Sequence, residues 1–309
     1  MTDADAAVTT TAGVATWRAE DVVVRHRPAW YLRPGLLRCA VGGVLIGAVL
    51  IAAVLAPLVA PTPPAAQDLA RRLTPPAWLT GGSAANLLGT DHLGRDILSR
   101  VLYGARISVL VGVIALIISG LVGTALGLLS GFYGARVDLV IMKMVEVFLT
   151  IPFVLLALVV MALFGQNLII LILVICLNRW IHYCRVIRNE VLSLRERDFV
   201  TGARALGVSH GRILVRHILP NTVASLSVVS TFSLATIILI EASLSFLGLG
   251  VPPSVPTWGL MLNEARPYMT PSWWTSVFPG LAIFITVLGV NLLGDGVRDA
   301  YDPRLRRSQ

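Results

Sequence analysis

Six apolar runs separated by polar stretches organise the chain: 39–60, 107–131, 137–164, 168–186, 222–247 and 277–294. A helix needs about 20 residues to cross about 30 Å of hydrocarbon, so the pattern predicts an all-α polytopic membrane protein with six transmembrane helices. Small-xxx-small spacings, Gly43/Gly47 in the first run and Gly123/Gly127/Gly131 in the second, predict close helix crossings. Pro152 and Pro279 predict bends in the third and sixth runs, because proline removes a helical hydrogen bond. The fourth run ends in NRWIHYCRVIR. There Trp180 and Tyr183 suit the headgroup level, which puts Arg179 near the membrane surface.

The polar segments divide the rest. Residues 1–38 form an N-terminal tail and 61–106 a loop holding an amphipathic helix. Residues 107–294 form a core of five spans, interrupted by loops at about 187–221 and about 251–276, and 295–309 form a C-terminal tail. Residue types are 56% hydrophobic and 14% charged, a balance foreign to soluble domains. The net charge of +8 therefore reads as arginine-rich loops on one side of a membrane rather than as a nucleic-acid surface.

The arginines also orient the chain. The segment after the fourth run carries seven, from Arg185 to Arg216, and the C-terminal tail four, whereas the segment after the third run has none and that after the fifth only Arg266. The positive-inside rule then places both termini and the 187–221 loop in the cytoplasm. The 61–106 loop dissents with five arginines; charge bias weakens in long, structured segments. The N-terminal tail lacks a basic region leading into an apolar core and reads as a disordered cytosolic segment rather than a signal peptide. Cys39, Cys176 and Cys184 lie in or beside apolar runs at no ligand spacing, which suits small buried or lipid-facing hydrophobes.

Candidate chemistry is sparse. The single lysine, Lys143, sits in VIMKMVEVF with no glycine-rich loop before it, so a Walker-type nucleotide site is excluded from this chain. The pattern GVSHG at 207–211 matches a nucleophile elbow. It lacks the preceding strand, however, and His210 adjoins Ser209 instead of folding back onto it. Ser209 reads better as the N-cap of the next helix. A DNA-reading helix-turn-helix at the same place would need a third helix and freedom to approach the duplex. Ionisable residues within apolar runs default to functional hypotheses. Glu146, three residues from Lys143, suits an ion pair, while Glu241 is a candidate pathway or gate residue.

The stretch FVTGARALGVSHGRILVRHILPN, residues 199–221, reads as two short helices joined by a glycine turn. Phe199, Ala203 and Leu206 share one face of the first, and Ile213, Leu214, His217 and Ile218 line the second, which Pro220 ends. Such an element lies on lipid or fills a groove on a partner protein. The small-residue cluster Thr201-Gly202-Ala203, Gly207 four residues on and the isoleucine–leucine–proline ending resemble the EAA loop of ABC-importer permeases. The motif's glutamate is replaced by Thr201. Three further stretches, LGTDHLGRDILSRVLYGARIS, IEASLSFLGLGVPPSVPTWGLML and FPGLAIFITVLGVNLLGDGVRDAYDPRLR, resemble the second permease of dipeptide and oligopeptide importers. Relatives of that family carry nickel, nickel chelates or glutathione.

The resemblance implies a type I importer fold in a bacterial cytoplasmic membrane, paired with a second homologous permease. Two ATPase subunits, which bind ATP and Mg, would dock from the cytosol, and an extracytoplasmic binding protein would deliver a peptide. The chain itself would bind no cofactor and catalyse nothing. The coupling loop would use Thr201, Gly202, Ala203, Leu206, Gly207, Val208, Ser209, Ile213 and Pro220. Trp258, in the proline-rich VPPSVPTWGLM, suits a rigid element near the external mouth. No His/Met/Cys cluster falls in the spans at metal spacing, which favours peptide over metal cargo. A stand-alone secondary transporter or membrane enzyme with an ion site at Glu241 is the reading from another class.

Overall fold

The computed structural model describes residues 34–301; residues 1–33 of the predicted N-terminal tail and 302–309 of the C-terminal tail lie outside them. From Gly35 onward the described residues form one compact unit. Within the described residues the regular secondary structure is helical apart from one isolated bridge, Thr90 with Asp96.

Apolar patterning does set the spans. Helix α1 covers Pro34–Val59, α2 Ile97–Tyr133, α5 Leu168–Leu194, α8 Leu219–Phe246 and α10 Trp274–Tyr301. The third run differs. It forms two helices, α3 (Ala135–Thr150) and α4 (Phe153–Phe164), set at 85° across Ile151-Pro152. Proline before a helix start forces the preceding residue out of the α region, and Ile151 is extended at φ −87°, ψ 120°. The break is thus an elbow rather than the bend expected. Among the described residues, five helices are long and apolar enough to span alone, and there are six spans if this pair counts as one. At Pro279, by contrast, α10 runs on without interruption.

Several helices overrun the expected boundaries. α1 starts within the 1–38 segment and α10 continues through 295–301. α2 begins at Ile97, where Asp96 accepts the Ser99 N–H at 2.7 Å as its N-cap. The 61–106 segment holds a 3-10 turn at Leu69–Arg71 and the first turns of α2, with no separate helix between them. The 251–276 loop holds α9, Trp258–Ala265, and a 3-10 turn at Arg266–Tyr268.

α2 and α5 pack most intimately, because Gly123, Gly127 and Gly131 form a smooth seam. A Cβ added at Gly127 would lie 2.7 Å from the Cys184 carbonyl oxygen, and one at Gly131 2.7 Å from Val191 Cβ. On α1, Gly42 lets α10 approach, since an added Cβ would meet Leu293 N at 2.7 Å, and on α10 Gly296 does the same against Cys39 N at 3.0 Å; Gly43 and Gly47 of the first small-residue pair make no such close approach within this chain.

Arg179 lies within α5 and is 7% exposed, and neighbouring Trp180 and Tyr183 are 6% and 0% exposed. All three are buried in the bundle. Cys176 and Cys184 are buried free thiols, and Cys39 is a half-buried one. Lys143 and Glu146 form an exposed ion pair at 2.7 Å.

Candidate functional site: a helical hairpin and a buried charge lock

At one end of the bundle, α5 leads through Arg195 into a hairpin. Its first helix, α6, covers Asp198–Ala205, and its second, α7, covers His210–Ile213. The turn between them is a Schellman motif. Val208 N–H donates to the Ala203 carbonyl at 3.1 Å and Gly207 N–H to that of Arg204 at 3.0 Å. Gly207 sits at φ +74°, a left-handed conformation that glycine adopts without a Cβ penalty. Ser209 occupies the N-cap position, but its side chain makes no capping hydrogen bond; only its carbonyl engages, accepting from Ile213 N–H.

The hairpin has a packed rear and a free front. Val200, Ala203, Ile213, Leu214 and Ile218 join Phe132, Ile187 and Val191 in one apolar cluster. The inward stripe of α6 is therefore Val200 and Ala203, while Phe199 and Leu206 point outward. Leu206 is 84% exposed at the tip, and Phe199, Val215, Thr201, Gly202, Gly207, Ser209 and Pro220 are also exposed. Val208 is half-buried. Arg204 covers the Phe132 ring at 5.3 Å, and His210 meets Phe132 and Tyr133 edge-on at 5.6 and 6.2 Å.

Pro220 does not end the second hairpin helix. α7 passes into a π-helical turn at Leu214–Ile218 and then into α8, one apolar rod from His210 to Phe246. Proline fits here because it falls in the first turn of α8, where its missing N–H matters least. Asn221 Nδ2 donates to the His217 carbonyl at 2.6 Å, satisfying an acceptor at the wide turn.

The opposite end is built around charge. Asp91 Oδ2 takes Arg95 Nε at 2.7 Å and Arg100 Nη1 at 2.5 Å, and Glu264 Oε2 takes Arg95 Nη2 at 2.8 Å and Arg100 Nη1 at 2.7 Å. Asp91 Oδ1 accepts the backbone N–H groups of Leu93 and Arg95 at 2.8 and 2.9 Å. Burial alone would push the Asp91 carboxyl up. Arg100, Arg95 and those N–H groups outweigh it and hold the carboxyl below its ordinary value. His92 stacks on Tyr268 at 5.5 Å. Burial pushes its imidazole down, against the pull of Asp91 and Glu264. Asp91, His92 and Glu264 bring ligand-type atoms within 4.8 Å of one another. Two guanidiniums already share the carboxylates, however, so ion pairing is the chemistry of the set. The four charged residues lock the 61–96 segment and the start of α2 to α9.

Both candidate pathway residues are enclosed beside this lock. Glu241, 0% exposed, accepts Ser108 Oγ and Ser245 Oγ at 2.9 Å each, tying α8 to α2. Trp258, 1% exposed, donates its indole N–H to the Val101 carbonyl at 3.0 Å. Of the groups in this region, sequence reasoning missed Asp91, Arg95, Arg100 and Glu264. The available signal was the opposite charges four residues apart in DHLGRDILSR.

A multi-span helical bundle with no strand among its described residues, carrying an exposed hairpin fused to one span, is the architecture of a membrane permease component. The chain matches the family of binding-protein-dependent transport system inner membrane components over residues 123–307, and it belongs to that family. It is 44% identical to the di/tripeptide transport system permease protein DppC of Pseudomonas aeruginosa, over 87% of this chain and 89% of the relative. With the dipeptide permease DppC of Escherichia coli the identity is 44% over 86% and 89%. With the glutathione permease GsiD of Pectobacterium atrosepticum it is 43% over 73% and 75%. Among solved structures, a chain of the MetNI methionine ABC transporter in inward-facing conformations superposes with a TM-score of 0.53. That match has 17% identity and covers 68% of this chain and 96% of the other, and it shows the shared MetI-like fold. The protein is a multi-pass membrane permease subunit of an ABC importer.

Proposed function

We propose that this subunit forms half of a translocation pathway for dipeptides or short oligopeptides. Coupling of that pathway to separate ATPases would run through the hairpin at 198–218. The observation that carries this reading is the hairpin's two-sidedness. Its rear is packed into the bundle and continuous with α8, while its front offers Leu206, Phe199 and Val215 uncovered. An exposed apolar tip on a rigid helical element suits a groove on a partner, and relatives named as dipeptide permeases supply the substrate class. A glutathione cargo is the second reading, favoured by the GsiD likeness.

In this reading the chain holds no cofactor and performs no chemistry. Two partner subunits bind ATP and Mg, a second homologous permease completes the pathway, and a binding protein delivers the peptide from outside. The hairpin and both termini face the cytoplasm of a bacterium. Thr201, Gly202, Ala203, Leu206, Gly207, Val208 and Ser209 form the docking tip, with Ile213 and Pro220 at its root. ATP-driven closure of the partners then moves the hairpin and α8 as one body. Glu241 and Trp258 hold the elements that border the pathway mouth. The test is affinity purification in mild detergent followed by reconstitution with the binding protein. Stoichiometric ATPases, a second permease and ATP-dependent uptake of dipeptide are expected; a lone protein that transports without ATP would overturn the reading.

A further inference from the structure

The buried guanidinium of Arg179 has no use in the account above. It projects from α5 onto α8 and is 7% exposed. Its only hydrogen bond is a long one, Nη2 to Ser233 Oγ at 3.3 Å, and its buried Nε has no partner. Among the described residues no ion pair includes it. Every other deeply buried arginine in a charge cluster here, Arg95 and Arg100, shares two carboxylates. A cation at membrane depth costs several kcal/mol unless it is paired. An arginine held there without an anion is therefore incomplete.

The surroundings supply polarity; the carboxylate on the same seam, Glu190, lies eleven residues along α5 from Arg179 and accepts Ser225 Oγ at 3.1 Å. Tyr183, one turn along α5, donates to Ser230 Oγ at 3.4 Å. The facing stretch of α8 carries Ser227, Ser230 and Thr231, all half-buried. The hydroxyls of Ser227 and Thr231 donate back to carbonyls of their own helix, which leaves their lone pairs free. This seam offers acceptors and one unsatisfied fork of donors, and the missing partner is an acceptor with a full negative charge. Guanidinium pairs with carboxylate or phosphate in two-pronged geometry, and of these the proposed peptide cargo carries the carboxylate.

We propose that Arg179 is a carboxylate subsite on the α5–α8 seam, which receives the free C-terminal carboxylate of a passing peptide. The proposal rests on peptide import as proposed above. Exchange of the Ser233 contact for a carboxylate breaks no ion pair, so the subsite can load and release. It also predicts a discrimination that belongs to the permease rather than the binding protein: a free acid is preferred over its amide.

The test uses the assembled complex of both permeases and the ATPases in nanodiscs, without binding protein. Equilibrium binding of radiolabelled dialanine is compared with that of dialanine amide. The wild type is expected to hold the acid about tenfold tighter or more, the scale of one buried charge-assisted contact. Arg179→Gln erases the difference and leaves amide affinity unchanged, and Arg179→Lys restores part of it. The inference fails if the wild type shows no difference, if the difference survives in Arg179→Gln, or if acid and amide weaken together. It fails too if Arg179→Gln sheds the second permease, since the anion then belongs to that subunit. Uptake by proteoliposomes with binding protein present separates the two levels. A wild type that imports no peptide sinks the function and this subsite together, whereas normal import without acid preference in binding sinks the subsite alone.

Discussion

The two ends of the bundle solve opposite problems with opposite chemistry. At the α9 end, four charges are taken out of water and matched, and two indoles anchor the loops by hydrogen bonds to the Val101 and Thr90 carbonyls. At the hairpin end, apolar side chains hold the rear, and the tip keeps Leu206 in solvent. A matched buried ion cluster tolerates little movement, because separating any pair leaves an uncompensated charge. An apolar rear face is non-directional and permits small shifts. The first is a scaffold; the second is a handle.

The sharpest way to break the comparison is to unlock the scaffold. Arg100→Ala leaves Asp91 and Glu264 with Arg95 as their one shared cation, and Trp258→Ala removes a buried indole and its hydrogen bond. Each is expected to lower stability by about 3–5 kcal/mol, read as an early unfolding midpoint in detergent, and Trp258→Ala also loses transport. Retention of the wild-type midpoint by both would dissolve the distinction between the ends. Changes to the handle reverse the signature. Gly207→Trp places a side chain at φ +74° with nothing within 4 Å. Insertion persists and the midpoint falls by only about 1–2 kcal/mol equivalent, the cost of a Cβ in the left-handed region, while uptake per ATP falls about tenfold, as for loss of a contact hot spot; normal uptake would remove the hairpin's coupling role.

Acid sharpens the comparison more gently. The His92 imidazole is held below its ordinary value of 6.5, so the unfolded chain takes up that proton first. The stability this contributes is complete above pH 6.5 and is lost as pH falls through the lowered folded value. Asp91, also lowered, contributes above its ordinary value of 3.8 and loses that only at still lower pH. Midpoints followed from pH 8 to 5 should drop in the wild type and drop less in His92→Phe, which keeps the stack on Tyr268. Smallest of all, Lys143→Ala removes an exposed pair and should change the midpoint by less than about 0.5 kcal/mol equivalent.

What the sequence disclosed follows the range of the forces involved. Spans were legible because apolar length is a local property, and the hairpin because Gly207 and its flanking faces are local too. The face of α6 was read from Phe199 when the structure uses Val200, since a two-turn helix gives periodicity too few positions to fix its phase. The charge lock escaped because Glu264 lies 164 residues from Arg100, and loop charges read as solvated until a distant partner buries them. The burial of Arg179 against α8 escaped because its contact with Ser233 spans 54 residues.

The unbroken passage from hairpin to span has a mechanical consequence. A rod of 37 residues is about 55 Å long at about 1.5 Å per residue. A tilt of about 5° imposed at the docking tip therefore sweeps the far end through about 5 Å, close to one helical pitch. In the proposed coupling, an amplification of that size would let a small closure between the partner ATPases reset which side chains oppose each other at the far end of the rod.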